Sequence, residues 1–380
     1  MTCFRPGLLA VAALLAARPA AAQESVFGIR GLGFLGQPIS AHSAAMGGGE
    51  SMFDGSSAVS PASLAAWRTL AGWAVGAQSA HTFNPGTGAV SLSSMRFPMF
   101  GFAAPVGNRL VVGVNVSDYL NRNWDVQRTD TVMSRDTALP VTDRTRSLGG
   151  VTDLRFAAAY RISSHIALGV GFHVLTGSVQ TGVERDFPTD SRYHSFGQVT
   201  ETDYSGLGAS LGLFVTPIER VVVGASARFN GRLSEINPGG NASVRLPTEL
   251  AGGLYVTPWN GVMVATTVIH DNWSVAAPTL VAAKQPPSRD VWSVGAGAEV
   301  SLLKLFGEVT PLRAGYRWRQ LPFAVDTANF LSERAVSGGI SFTLAGGRAI
   351  VDFAVEGGSR TAGALKESFT TVLLGLSIFP

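Results

Sequence analysis

The sequence predicts an all-β protein, a transmembrane antiparallel β-barrel of about 14 strands with an N-terminal hatch in its lumen. Three observations carry this. Apolar residues recur at every second position over most of the chain, short turns alternate with long polar loops, and a segment too rich in glycine to be a strand precedes the first alternating run.

The chain opens on an export signal. Arg5 precedes an apolar run over 8–16 and the triplet Ala20, Ala21, Ala22, so residues 1–22 read as a secretory signal peptide cut after Ala22. That run is far shorter than the ~20 residues a membrane helix needs. Cys3 is the only cysteine and lies within the removed segment, which leaves the mature chain no disulfide, no lipid-bearing cysteine and no cysteine metal site.

Residues 23–66 read as the hatch. The stretch 43–64, SAAMGGGESMFDGSSAVSPASL, is built of small residues that let backbone pack closely in a confined lumen. Just upstream, Gly31-Leu32-Gly33-Phe34-Leu35-Gly36 matches the dinucleotide fingerprint G-x-G-x-x-G by letter. A strand of a βαβ unit has no room before it, so it reads as a lead-in to the hatch.

Residues 67–380 read as the barrel. In 166–175, Ile166, Leu168, Val170, Phe172 and Val174 share one face, and Ala167, Gly169, Gly171 and His173 the other. Leu312, Ala314, Tyr316 and Trp318 likewise oppose Arg313, Gly315, Arg317 and Arg319. A soluble sandwich would bury the apolar face, whereas a membrane barrel turns it to lipid. Strands are expected near 69–81, 90–104, 109–126, 151–162, 165–183, 198–216, 219–231, 244–257, 260–273, 290–302, 305–319, 333–345, 348–357 and 367–379.

The connections decide between the two. Those at 105–109, 163–165, 216–220, 257–261, 304–306 and 345–347 are short. Those near 84, over 128–149, from 185, at 237–241, from 276 and after 320 are longer and polar. Short turns on one side and long loops on the other belong to a barrel of the bacterial outer membrane. Trp124, Trp273, Trp292 and Trp318 fall at the loop ends of strands and Trp67 and Trp259 at the turn ends, as an interfacial girdle would place them; Trp73 falls mid-strand and does not fit. The last strand ends in Phe379, as barrel insertion signals do, with Pro380 after it.

Composition and motifs exclude several function classes. A net charge of +3 with no Lys/Arg cluster among aromatics excludes nucleic acid as a partner. The six histidines lack metal-ligand spacing, and His194-Ser195 has no nucleophile elbow around it, so no catalytic residue, metal site or cofactor is assigned. Alternation points Arg155, Arg161, Arg228, Arg313, Arg317 and Arg319 into the lumen, against Asp153, Glu299, Asp352 and Glu356. Two readings stand: the arginines attract an anionic ligand group, or they form structural ion pairs and hold the hatch.

A family resemblance completes the reading. Ala45-Met46-Gly47-Gly48-Gly49, then Asp54-Gly55-Ser56-Ser57-Ala58 and Ser60-Pro61-Ala62-Ser63-Leu64, resembles the GMGGA, acidic-Ser-Ala and NPA-x-L series of the FadL-type outer-membrane transporters. Ser60 stands where that family has asparagine, and Ala45 where it has glycine. The resemblance marks Met46, Gly47, Gly48, Gly49, Asp54 and Pro61 as hatch residues. It implies a 14-stranded barrel that passes hydrophobic small molecules, long-chain fatty acids above all, sideways through a kinked strand into outer-membrane lipid with no cofactor. Pro311-Leu312-Arg313-Ala314-Gly315-Tyr316-Arg317 with Leu321-Pro322-Phe323 is similar to the PorV-like branch, which implies instead a non-transporting barrel that docks or shuttles secretion-system proteins.

Overall fold

Alternating side chains close into a cylinder. The computed structural model describes residues 25–84, 90–134, 137–188, 192–305, 308–326 and 329–380, so the signal peptide and most of the loop near 84 lie outside the described residues. The N-terminal segment holds a 3-10 turn (Val26–Ile29), β1 (Phe34–Leu35), α1 (Ala41–Ala45) and a second 3-10 turn (Pro61–Ala66). There follow β2 (Ala71–Asn84), β3 (Val90–Val106), β4 (Leu110–Asn121), β5 (Trp124–Ser134), β6 (Thr137–Arg161), β7 (Ile166–Asp186), β8 (Phe196–Ile218) and β9 (Val221–Asn230). After β10 (Arg232–Asn237) and β11 (Gly240–Arg245) come β12 (Thr248–Trp259), β13 (Val262–Asp271), α2 (Ala277–Ala282) and β14 (Val291–Val300). The small pair β15 (Lys304–Leu305) and β16 (Glu308–Val309) precedes β17 (Leu312–Ala324), β18 (Phe330–Leu344), β19 (Ala349–Ala362) and β20 (Leu365–Ile378).

Fourteen of these form the wall, each antiparallel to its neighbours and closed where β2 pairs with β20. Leu168, Val170 and Phe172 are exposed on its outside while Gly169 and His173 are buried inside, so the outer face is an apolar belt for lipid. The short turns gather at one end, which is the periplasmic one.

The stretches 128–149 and 237–241, expected as loops, are instead the hairpins β5–β6 and β10–β11. In the β5–β6 hairpin Thr and Val residues alternate with charges, a pattern that suits a solvated ribbon. Cross-strand ion pairs such as Arg185 Nε to Asp143 Oδ1 at 2.5 Å and Arg144 Nε to Asp125 at 3.0 Å brace it. The strand expected from 305 starts at Leu312, because the β15–β16 hairpin intervenes on the periplasmic side.

Three tryptophans leave the expected girdle or explain their misfit. Trp273 is buried against Phe323 at 5.2 Å, under a cap that α2 helps to form over the loop end. Trp67 stacks on Trp73 at 5.7 Å between ring centroids, which accounts for an aromatic in mid-strand. Trp259 and Trp292 stay exposed at the strand ends.

The N-terminal segment packs against the inner face of the wall. Ser40 caps α1 by accepting from the Ser43 N–H at 3.0 Å, and the helix ends when Gly47 and Gly48 turn left-handed at φ 63° and 77°. This turn sits directly on the backbone of β14 and β17. A Cβ at Gly315 would lie 2.1 Å from the Met46 carbonyl carbon, one at Gly297 2.4 Å from the Met46 oxygen, and one at Gly295 2.4 Å from the Gly47 oxygen. A second seat receives the Pro61–Ala66 turn, where a Cβ at Gly169 would lie 2.3 Å from the Ala62 nitrogen. Close seating buries Met46, Met52 and Leu64 almost completely. Each is worth about 1.5–3 kcal/mol relative to exposure.

Gly315→Ala should therefore loosen the N-terminal segment by about 1–3 kcal/mol, the usual range for overpacking. Protease sensitivity of residues 25–66 in the folded, detergent-held barrel reads it. Gly357→Ala, where a Cβ meets nothing within 4 Å, should leave that sensitivity unchanged; equal sensitivity of the two variants would refute the seat.

Candidate functional site

Among the described residues, β3 and β4 leave part of their seam unpaired. β3 pairs with β4 from Val106↔Leu110 up to Met99↔Ser117 and no further, while residues 90–96 remain paired with β2. At the break, Phe97 and Pro98 together oppose the single residue Gly76, a β-bulge in which Pro98 has no N–H to extend a ladder. β4 bulges at the same level, its register to β6 shifting between Asp118 and Leu120. The upper edge of β4 is thus left without β3.

β1 takes that edge. Phe34 pairs with Asn121 and Leu35 with Leu120, and the Gly36 N–H donates to the Tyr119 carbonyl at 3.0 Å. Glycines make the approach possible: a Cβ at Gly36 would lie 2.1 Å from the Asp118 oxygen, and Gly33, at φ 106°, would place one 2.5 Å from the Asn121 oxygen. The G-x-G-x-x-G letters are therefore a backbone-docking device. Arg96 of β3 and Asp118 of β4 face each other across the break at 3.8 Å.

Behind β1 lies a buried ion-pair network. Glu333 accepts from Arg319 Nε at 2.7 Å, Arg360 Nε at 2.7 Å and Arg317 Nη2 at 3.2 Å. Arg317 also holds Glu356 at 2.6 Å, and Arg360 holds Glu367 at 3.0 Å. The N-terminal segment plugs into it, since the Phe34 ring lies 4.3 Å from the Arg360 guanidinium carbon and the Ser25 hydroxyl donates to Glu367 at 2.8 Å. The cavities flanking β1 are small. One of about 30 Å³ reaches Pro98, and one of about 120 Å³ is lined by charged groups including Arg228, Glu249 and Asp271.

All six arginines expected in the lumen point inward, but into four arrangements. Arg317 and Arg319 belong to the network at Glu333, and Arg313 binds Glu299 at 2.7 Å and Asp352 at 3.1 Å. Arg228 meets Asp153 at 2.8 Å, with His173 on the same carboxylate. Arg155 and Arg161 instead donate to the N-terminal backbone, Arg155 to the Ser57 carbonyl at 3.3 Å and Arg161 to Ala65 at 2.8 Å and Trp67 at 2.5 Å. Glu333 and Glu367 add two more buried carboxylates and Arg360 a further buried guanidinium to the inward charges read from the sequence. Arg360, Glu333 and Glu367 sit at the loop ends of their strands, beyond or at the limits read from the sequence.

The residues marked by resemblance assemble as one unit. Asp54 accepts from the hydroxyls of Ser40, of Ser43 at 2.9 Å and of Ser57 at 2.9 Å, and from the Ser56 N–H at 2.8 Å. One carboxylate thereby ties α1 to the loop leading to Pro61, where Ser60 accepts from the Ala62 N–H at 3.3 Å. Met46, Gly47, Gly48 and Gly49 make the turn on the wall, with the Gly47 N–H on Ser337 Oγ at 2.9 Å and Thr267 donating to the Gly49 carbonyl at 2.7 Å. His42 of α1 reaches Glu50 at 2.6 Å, Glu299 at 3.5 Å and Asp352 at 4.0 Å. Burial pushes its pKa down, but the Glu50 charge and hydrogen bond outweigh burial and the nearby Arg313, raising it to about 9.

Comparison with known proteins bears on the fold. The chain resembles the CymD monoaromatic hydrocarbon channel (16% identity, TM-score 0.57), aligning over 90% of its own length and 97% of that chain. It resembles a FadL homologue of Pseudomonas aeruginosa (14%, 0.57) and the toluene transporter TodX of Pseudomonas putida (15%, 0.57), each over 90% of its own length and 98% of theirs. At such identities the likeness is one of fold. No protein of curated function matches by sequence. The BamG family matches residues 7–231, more than half of the chain. The chain belongs to the BamG family, and its wall has the fold of the FadL-type outer-membrane barrels.

Proposed function

We propose that this protein is a passive outer-membrane channel for hydrophobic small molecules, long-chain fatty acids among them, with residues 23–66 as a hatch over a lateral exit between β3 and β4. The observation that carries the reading is the seam itself: a wall that loses its pairing above Met99↔Ser117 and is completed by a removable strand. Nothing in barrel stability calls for such a break, since unpaired backbone facing hydrocarbon costs several kcal/mol per group. The solved structures of similar fold named for monoaromatic hydrocarbons and toluene support the substrate class. The arrangement described is the closed one, because 120 Å³ is below the ~150 Å³ of a cavity that takes benzene and the ~300 Å³ where ligand pockets begin. Passage therefore requires β1 to leave the β4 edge.

A second reading rests on the same filled interior. A barrel packed with ion pairs needs no traffic, and the PorV-like alternative makes it a docking barrel for secretion-system proteins. An apolar concavity of about 640 Å³ between Phe102, Phe156 and Phe172 lies on the outer wall, where another membrane protein could seat.

Cysteines at Leu35 and Leu120, which face each other in the β1–β4 register, test the channel directly in a mature chain that has none. Oxidation of the double variant should abolish uptake of toluene or a fatty acid by cells, and reduction should restore it. Uptake indifferent to the disulfide would sink the channel and leave the docking barrel.

The hatch should also respond to pH through His42. Its folded pKa is raised from 6.5 to about 9, so its contribution is fully present below pH 6.5 and fades as pH rises through about 9. Protease sensitivity of residues 25–66 should rise across that window in the native chain and stay flat in His42→Gln. Parallel profiles would show that His42 does not hold the hatch; its side chain keeps 28% exposure, so screening trims the effect.

A further inference from the structure

Below the N-terminal segment, at the periplasmic mouth, lies a cavity of about 700 Å³ that stands apart from the β1–β4 seam. Its inner part is apolar. Phe53 of the segment meets Phe214 at 5.1 Å and Tyr255 at 5.9 Å between ring centroids, with Ala167 and Val222 beside them. Its rim is cationic. Arg161 spends its hydrogen bonds on the carbonyls of Ala65, Asn108 and Trp67, so its charge meets no carboxylate, and Arg68 and Arg109 stand exposed next to the opening. Among the described residues, no acidic group forms an ion pair with any of the three. The one carboxylate in the lining, Glu50, is turned to His42 at 2.6 Å.

The geometry points to a binding site for an anionic amphiphile, a single acyl chain with a carboxylate or phosphate head. The volume falls within the ~300–1,000 Å³ of small-molecule pockets. A chain lying on Phe53, Phe214 and Val222 would set its head among Arg68, Arg109 and Arg161. Exposed arginines make this a site entered from the periplasm, which separates it from the seam at the other end of the lumen. It needs no opening of β1, so it goes beyond the channel reading and stands or falls apart from it.

Alternation within the strands supplies the readout. Ala167, Phe214 and Val222 face the cavity, while Leu168, Leu213 and Val223 are exposed on the lipid face. The full chain in lipid nanodiscs would be photolabelled with a diazirine-bearing dodecanoic acid, its methyl ester and the matching dodecyl phosphate. The acid and the phosphate should mark Ala167, Phe214 or Val222, the ester should not, and the stronger of the two heads names the source as free fatty acid or phospholipid. Arg68→Gln with Arg109→Gln should lower cavity labelling about fivefold, the scale of two solvent-facing ion pairs, while lipid-face labelling stays constant. Labelling confined to Leu168, Leu213 or Val223, equal labelling by acid and ester, or no change in the double variant would each overturn the site. The oxidised Leu35→Cys/Leu120→Cys chain should label as the native one does.

Discussion

Backbone lying on backbone is the constraint on which this structure depends. The N-terminal segment reaches the wall at distances that exclude a single methyl group, at Gly295, Gly297 and Gly315 beneath the Met46 turn and at Gly169 beneath Ala62. Glycine in a strand weakens it in isolation. Here the loss is repaid by contacts that only a smooth inner surface allows, with Thr267, Ser226 and Ser337 reaching the segment's carbonyls from neighbouring strands. The wall glycines under these two seats therefore share one cause, the close approach of the segment's backbone.

Once that contact excludes water, every charge left inside must find a partner. Buried carboxylates and guanidiniums are costly alone and tolerable in networks, which is why Glu333 gathers three arginines and Asp352 shares Arg313 with Glu299. The segment is part of this economy of hydrogen bonds: Arg155 and Arg161 hold its carbonyls, and Ser25 and Phe34 join the Arg360 cluster. Removing it would strand donors as well as open space. Lumen and segment are thus specified together.

Much of this was legible in the sequence. Period-two alternation located the fourteen wall strands because lipid outside and a crowded lumen inside demand opposite chemistries at successive residues. Asp54 was marked by the family resemblance alone, and in the structure it is the common acceptor for Ser43, Ser56 and Ser57. What the sequence concealed has identifiable physical reasons. The Phe97–Pro98 bulge follows from a pairing that stops, and pairing is a relation between strands which neither strand encodes alone. Arg360, Glu333 and Glu367 escaped notice because strands running past the membrane lose their apolar face there, so the alternation that marks them fades. Hairpins β5–β6 and β10–β11 were read as loops for the same reason.

The unevenness of the pairing bears on where such a barrel can open. β3 and β4 share eight register pairs below the break, whereas β1 meets β4 at only two. Opening free energies in a native protein follow the number of buried contacts and hydrogen bonds that must be lost. The β1 contact is moreover held by groups from elsewhere, Phe34 over Arg360 and Ser25 on Glu367, rather than by a continuous ladder. A disturbance of the network at Glu333 would therefore loosen β1 while the wall strands that carry the network stay paired by their own ladders. The upper part of the β3–β4 seam is thus completed by the N-terminal segment, through two register pairs and groups held by charges of the lumen.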